Sequence, residues 1–266
     1  MSTSNKSAVV TGASSGLGAV YADRLAARGY DLILVARRAD RLATLSEQLI
    51  RTYGIKVQVL AADLEQESDL AKVESVLRSD SSIHMLVNNA GLARLLPFAQ
   101  SSSGDTDSQL SLNITALTRL THAALPGFIS RNDGVIINIA SVLAVHSLPI
   151  SSVYSGTKAY VLAFSRGLQG ELANTGVKVQ VVLPASTATE IWSERVSGIP
   201  LSALNKESVM SAEDCVDAAL AGLDMGEAVT WPSVADASLW DTFDVARSTL
   251  FAATQVGAPA PRYRKA

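Results

Sequence analysis

Thr11-Gly12-Ala13-Ser14-Ser15-Gly16-Leu17-Gly18 decides the fold because of what lies on either side of it. The apolar run Ala8–Val10 before it reads as a buried strand, and Tyr21, Leu25 and Ala26 after it belong to a helix. A glycine-rich turn at such a junction suits an anion. Glycine lets the chain turn sharply and approach a pyrophosphate, and the following helix presents free N–H groups and the positive end of its dipole. Gly12, Ser14, Ser15, Gly16, Leu17 and Gly18 are therefore expected along a dinucleotide, with the two serines adding hydroxyl donors. The spacing is T-G-x-x-x-G-x-G rather than G-x-G-x-x-G; alone it would be an ordinary tight turn, and its place at the first strand-to-helix junction carries the reading.

Outward from this turn, short apolar runs alternate with longer helical stretches. Ala8–Val10, Leu32–Val35, Val57–Leu60, Met85–Val87, Val135–Ile139, Val179–Leu183 and the weaker Val229–Trp231 read as strands. Gly18–Arg28, Asp40–Thr52, Ser68–Leu77, Asp107–Ser130, Ser152–Asn174 and Ala212–Asp224 read as helices. Repeated β-α-β implies an α/β, doubly wound Rossmann-type parallel sheet of about seven strands with helices on both faces. Without a linker or repeat to split it, the series predicts one domain over 1–266. Ser101–Asp107 reads as a polar loop. The long stretch 185–207 follows the sixth strand, where an insertion is placed to cover a ligand, and 257–266 is a Pro-rich basic tail.

Composition narrows the function. The chain is 48% hydrophobic with 5% aromatics, which suits strands filled by Ala, Val, Leu and Ile. A net charge of -3 offers no field for nucleic acid, and the single cysteine, Cys215, can form no internal disulfide. No metal site is expected. The polar N-terminal lead and the lack of a long apolar run predict a cytoplasmic protein with no membrane contact.

Cofactor choice is written after the second strand. A fold of this kind that takes NAD usually ends that strand on an acidic residue, which binds the ribose hydroxyls. Here Ala36 stands in that place, followed by Arg37 and Arg38, whose guanidinium groups suit a 2′-phosphate; NADP(H) is the expectation, with a solvated helix start as the alternative. Asp63-Leu64 and Asn88-Asn89-Ala90-Gly91 end the third and fourth strands at edges that should face the cofactor, Asp63 being placed to accept from the adenine amino group.

Tyr154 and Lys158 lie four residues apart on one helix face, so an ammonium should sit beside a phenol. A phenol with a pKa of about 10 is a poor proton shuttle at neutral pH, and a neighbouring cation lowers that value. Ser141, just past the fifth strand, is placed to hydrogen-bond a reacting oxygen.

TGASSGLG, NNAG, the Asn of SLNIT, and a Ser thirteen residues before the Tyr of YSGTK occur in that order. From about Lys6 to Trp192 the chain thus resembles the short-chain dehydrogenase/reductase family, in its single-domain branch. The resemblance implies that Tyr154 donates the proton in carbonyl reduction and that Lys158 also binds the nicotinamide ribose. It further implies that Ser141 holds the substrate oxygen and that Asn113 places a relay water. Asn88, Asn89, Ala90 and Gly91 would lie along the cofactor, with Pro184, Thr187 and Thr189 in the segment that meets the nicotinamide carboxamide. Ala185 departs from the family's usual Gly there. A homodimer or homotetramer through the two long helices is also implied.

Leu143, His146, Ile191 and Trp192, with Leu92 and Leu148, surround the expected reaction centre, so an apolar ketone, aldehyde or alcohol is the expected substrate. The rival readings are an NAD-dependent dehydrogenase, a 3-oxoacyl-thioester reductase of the same fold, and a non-catalytic nucleotide sensor or scaffold.

Overall fold

The computed structural model describes residues 6–264. Seven strands form one parallel sheet: β1 (Ser7–Thr11), β2 (Asp31–Ala36), β3 (Val57–Ala61), β4 (Ile83–Asn88), β5 (Gly134–Ile139), β6 (Val177–Val182) and β7 (Val229–Thr230). Their order is β3-β2-β1-β4-β5-β6-β7, the doubly wound arrangement expected from the alternating pattern.

Alternate residues of the central strands feed two cores, while the edge strand β3 is largely exposed. Ala8, Val10, Leu32 and Leu34 pack with Tyr21 and Leu25 of α1 (Gly16–Ala27), with Leu42 and Leu49 of α2 (Ala39–Tyr53), and with residues from later in the chain. Val9, Ile33 and Val35 face the other way. They meet Leu70, Val73 and Leu77 of α3 (Glu67–Ser79), along with later residues of the same cluster. Burial on both faces explains why the central strands read as continuous apolar runs.

The stretch expected as one helix from Asp107 is divided. It comprises α4 (Ser103–Leu110), a π-helical turn (Ser111–Ala116) and α5 (Leu117–Arg131). The expected loop at Ser101–Asp107 is mostly the start of α4, whose N-cap Ser102 accepts from the Asp105 N–H. Two more helices complete this part: α6 (Ser152–Glu171), which adds Leu168 to the second core, and α7 (Ala212–Met225), which adds Val216 and Leu220 to the first.

By contacts the chain divides into two compact units, the first running to Ser233 and the second starting at Val234. The second carries α8 (Ser238–Ala253), in which Trp240 and Phe243 stack with ring centroids 5.6 Å apart; this helix was not read from the sequence.

Candidate active site

β1 and β4 are neighbours from which the chain winds in opposite directions, so their carboxyl ends open a crevice. Thr11 ties the two ends together. Its hydroxyl donates to the Val87 carbonyl (3.2 Å) and accepts from the Asn89 and Ala90 N–H groups (3.0 Å each), while Asn89 Nδ2 donates to the Thr11 carbonyl. The glycine turn grows from this knot. Gly12 has φ +67°, and a Cβ there would lie 2.8 Å from Asn89 Nδ2; a Cβ on Gly18 would lie 2.3 Å from the Gly12 carbonyl oxygen. Only glycine allows the first turn of α1 to come so close to the strand end.

Ser15 is the N-cap residue of α1, but its side chain makes no capping bond. Its hydroxyl accepts instead from Arg38 Nη2 (2.7 Å), and Ser14 Oγ accepts from Arg38 Nε and Nη2 (3.1 and 2.9 Å). The expected phosphate-binding arginine thus lies against the expected phosphate-binding serines. Arg38 Nη1 also donates to Glu190 (2.6 Å), a carboxylate shared with Arg41 that was not foreseen. The two arginines hold Glu190 at a pKa of about 2. Arg37 turns elsewhere, exposed and 3.8 Å from Glu65. Near it, Asp63 Oδ1 accepts from the Glu65 N–H (3.1 Å), and Leu64 is buried below.

Lys158 and Ser141 are buried at the same end of the sheet, and Tyr154 is half-buried there. Ser141 Oγ accepts from the Leu143 N–H (3.1 Å) and is near enough to the Tyr154 phenol to favour its ionised form. Lys158 Nζ donates to the Ile139 carbonyl (2.9 Å) and lies 5.6 Å from the centre of the Tyr154 ring. Burial pushes the phenol up to about 12, the neighbouring Ser141 hydroxyl pulling it part of the way back, and pushes the Lys158 ammonium down to about 8. The expected lowering of the phenol by Lys158 does not appear: loss of solvent opposes the charged form of both groups and decides both values.

Asn113 sits in the π-helical turn, a feature frequent at functional sites. Its Oδ1 accepts from the Leu92 N–H (2.9 Å), and its Nδ2 donates to the Leu92 carbonyl (2.8 Å) and to Thr157 Oγ1 (3.0 Å). A Cβ on Gly91 would stand 3.1 Å from Asn113 Oδ1 and 3.5 Å from Lys158 Nζ, so these residues close on one point. Below them runs a buried ladder: Asn88 Nδ2 donates to Thr121 and to Asn138, and Asn138 Nδ2 donates to Ser165, each at 2.9 Å. Asn138 went unread, although an Asn inside the apolar run Val135–Ile139 was the signal for it.

The segment after β6 lies across both regions. The Pro184 carbonyl accepts from the Val142 N–H, and Thr187 turns inward, buried, with its hydroxyl on the Ala185 carbonyl. The Thr189 side chain packs against Gly16, where a Cβ would lie 3.0 Å from its methyl. Farther on, Arg94 Nη1 donates to the Glu194 and Arg195 carbonyls (3.3 and 3.2 Å), and the Leu95 N–H donates to the Ser197 carbonyl (2.9 Å). Leu143, Ile191 and Trp192 are half-buried; His146 belongs to an exposed run, 145–149.

The family model for short chain dehydrogenases matches residues 6–199. The chain belongs to that family. A very-long-chain 3-oxoacyl-CoA reductase of Danio rerio is 35% identical over 71% of this chain and 62% of its own length. For a 17-beta-hydroxysteroid dehydrogenase type 3 of Rattus norvegicus the figures are 38%, 68% and 60%. The chain therefore spans about three fifths of the length of these relatives. Among solved structures, a short-chain dehydrogenase from Sphingobium yanoikuyae in complex with NADPH is 45% identical, with TM-score 0.94 over 97% of this chain and all of that one. The bulky-bulky ketone specific alcohol dehydrogenase from Comamonas testosteroni is 39% identical, with TM-score 0.90 over 99% of this chain and all of that one. Among the described residues, no helix is long and apolar enough to cross a membrane.

Proposed function

We propose that this short-chain dehydrogenase is an NADP(H)-dependent oxidoreductase that interconverts a ketone or aldehyde and an alcohol. The observation that carries the reading is the gathering of Ser141, Tyr154 and Lys158, with Lys158 Nζ 5.6 Å from the Tyr154 ring centre and bonded to the Ile139 carbonyl, at the same sheet edge as the glycine turn. The residues fit a 2′-phosphorylated dinucleotide. The absence of a Cβ at Gly12 and Gly18 lets the turn and the start of α1 pack against the strand ends, and Arg38 is gathered with the Ser14 and Ser15 hydroxyls. Gly12, Ser14, Ser15, Gly16, Leu17, Gly18 and Arg38 would hold the phosphates; Asp63, Leu64, Asn89, Ala90 and Gly91 would line the adenosine and ribose. Lys158, Pro184 and Thr189 would hold the nicotinamide half. Bound there, the cofactor supplies or accepts the hydride.

This chain's own groups handle the oxygen. Tyr154, kept protonated by burial, gives its proton to the carbonyl oxygen, and the Ser141 hydroxyl orients that oxygen. The Lys158 ammonium stabilises the negative charge left on the phenol. In the alcohol-to-ketone direction the same proton returns to Tyr154.

For substrate, we infer a carbonyl with bulky apolar flanks. Leu92, Leu143, Ile191 and Trp192 supply half-buried apolar surface, and the relative from Comamonas testosteroni is described as specific for bulky-bulky ketones. A 3-oxoacyl thioester is the second reading, favoured by the Danio rerio relative. A homo-oligomer through α5 and α6 is part of the proposal, and it rests on the family resemblance.

The test is consumption of NADPH and NADH by the purified protein against ketones graded in size on both flanks, aldehydes, and 3-oxoacyl thioesters. NADPH with a doubly bulky ketone should give the highest kcat/KM. Preference for NADH, or turnover of thioesters alone, would overturn the cofactor or the substrate assignment respectively.

A further inference from the structure

We propose that Glu190 sets the strength and selectivity of NADP(H) binding by competing with the 2′-phosphate for Arg38, and that this competition couples cofactor binding to the seating of the 185–207 segment. The inference rests on the cofactor reading above.

A guanidinium has five N–H donors, and a phosphate is gripped by two of them side by side on one edge. Four hydrogen bonds already run from Arg38: two to Ser14, one to Ser15 and one to Glu190. These partners differ in what they can do when a phosphate arrives. The Ser14 and Ser15 hydroxyls can rotate and become donors to it. An ionised carboxylate can only accept, and it repels a second anion. Glu190 therefore has to give up Arg38 when a 2′-phosphate binds there, and the interaction it surrenders is subtracted from the cofactor's affinity. Because the two arginines hold its pKa low, Glu190 stays charged at every pH at which the enzyme would work.

Its second partner determines where it goes. Glu190 Oε1 accepts from Arg41 Nη1, a residue of α2 one turn beyond Arg38, so the carboxylate retains an anchor after leaving the first arginine. Its position in the chain gives the exchange a consequence. Thr189, immediately before it, packs on Gly16 of the phosphate turn, and Ile191 and Trp192, immediately after it, lie on the expected substrate side. Reseating Glu190 pulls on both. NADH carries no 2′-phosphate and leaves the Arg38–Glu190 pair intact, so the competition acts on one cofactor only.

The experiment is equilibrium binding of NADPH, NADH, adenosine 2′,5′-bisphosphate and AMP to the wild-type protein and to Glu190→Gln, followed by calorimetry or ligand fluorescence. The glutamine keeps the size and removes the charge. Since ion pairs this exposed are weak, the variant should bind NADPH and the bisphosphate about threefold to tenfold more tightly and should change NADH and AMP by less than about twofold. Backbone hydrogen exchange is the second arm: the bisphosphate should speed exchange at 190–193 in the wild type and not in the variant. Unchanged or weaker binding of both phosphorylated ligands by the variant overturns the competition, and equal exchange responses in the two proteins overturn the coupling. If both proteins bind the bisphosphate no better than AMP, the 2′-phosphate assignment of Arg38 fails and the competition fails with it. Tight bisphosphate binding that does not respond to the substitution leaves the cofactor reading standing and removes only the role of Glu190.

Discussion

Lys158 and Arg38 are two cations of the proposed site, and the protein surrounds them in contrasting ways. Lys158 is buried and donates to one backbone carbonyl, with its ammonium over the Tyr154 ring. The Arg38 side chain is 39% exposed and shares its donors among two hydroxyls and a carboxylate. Burial makes the first a group whose proton is easily lost, at a pKa of about 8. Exposure makes the second a group whose partners are easily exchanged, because water and salt keep each ion pair weak. In the proposed function, which moves a proton and also admits and releases a large anion, each task has its own arrangement.

The contrast can be broken first at Lys158. Lys158→Met should lower carbonyl reduction by about a hundredfold or more, in the range of lost acid–base assistance. Because burial lowers the Lys158 pKa, the cation is present below about 8 and lost as pH rises through that value. Wild-type reduction should therefore decline through pH 8, and the pH–rate profile of the variant should lack that limb. A decline that persists in the variant would assign it to another group.

A smaller effect is expected from Asn113→Ala, which leaves the Leu92 N–H and carbonyl and the Thr157 hydroxyl short of a partner. It should cost about 1–3 kcal/mol of stability, measured by denaturant unfolding. The smallest effect belongs to Arg94, which anchors the far part of the 185–207 segment. Arg94→Gln removes bonds to the Glu194 and Arg195 carbonyls and should raise the KM for the carbonyl compound by about threefold while leaving the Kd for NADPH unchanged, as a loss of uniform substrate binding would.

Much of the site was legible because it is local in the chain. The glycine turn announces itself between a strand and a helix, and Tyr154 and Lys158 announce themselves by a four-residue spacing. What escaped depends on distance or on solvent. Glu190 meets Arg38 from 152 residues away, and Arg94 reaches carbonyls about a hundred residues on. Burial decides the proton affinities of Tyr154 and Lys158, and residue spacing says nothing of burial. The π-helical turn at Ser111–Ala116 has no residue signature and is fixed by the bonds Asn113 makes across to Leu92 and Thr157. The start of α4 is a different case: Ser102 and Asp105 have the spacing of an N-terminal cap, and the polar run around them masked it.

The most direct test of proton transfer at this site is Tyr154→Phe, with NADPH binding and carbonyl turnover measured on the same preparation. If the phenol is the acid, the variant binds NADPH within about twofold of wild type and loses turnover by a factor of about 10² to 10⁴. Turnover close to wild type, with cofactor binding intact, would contradict it.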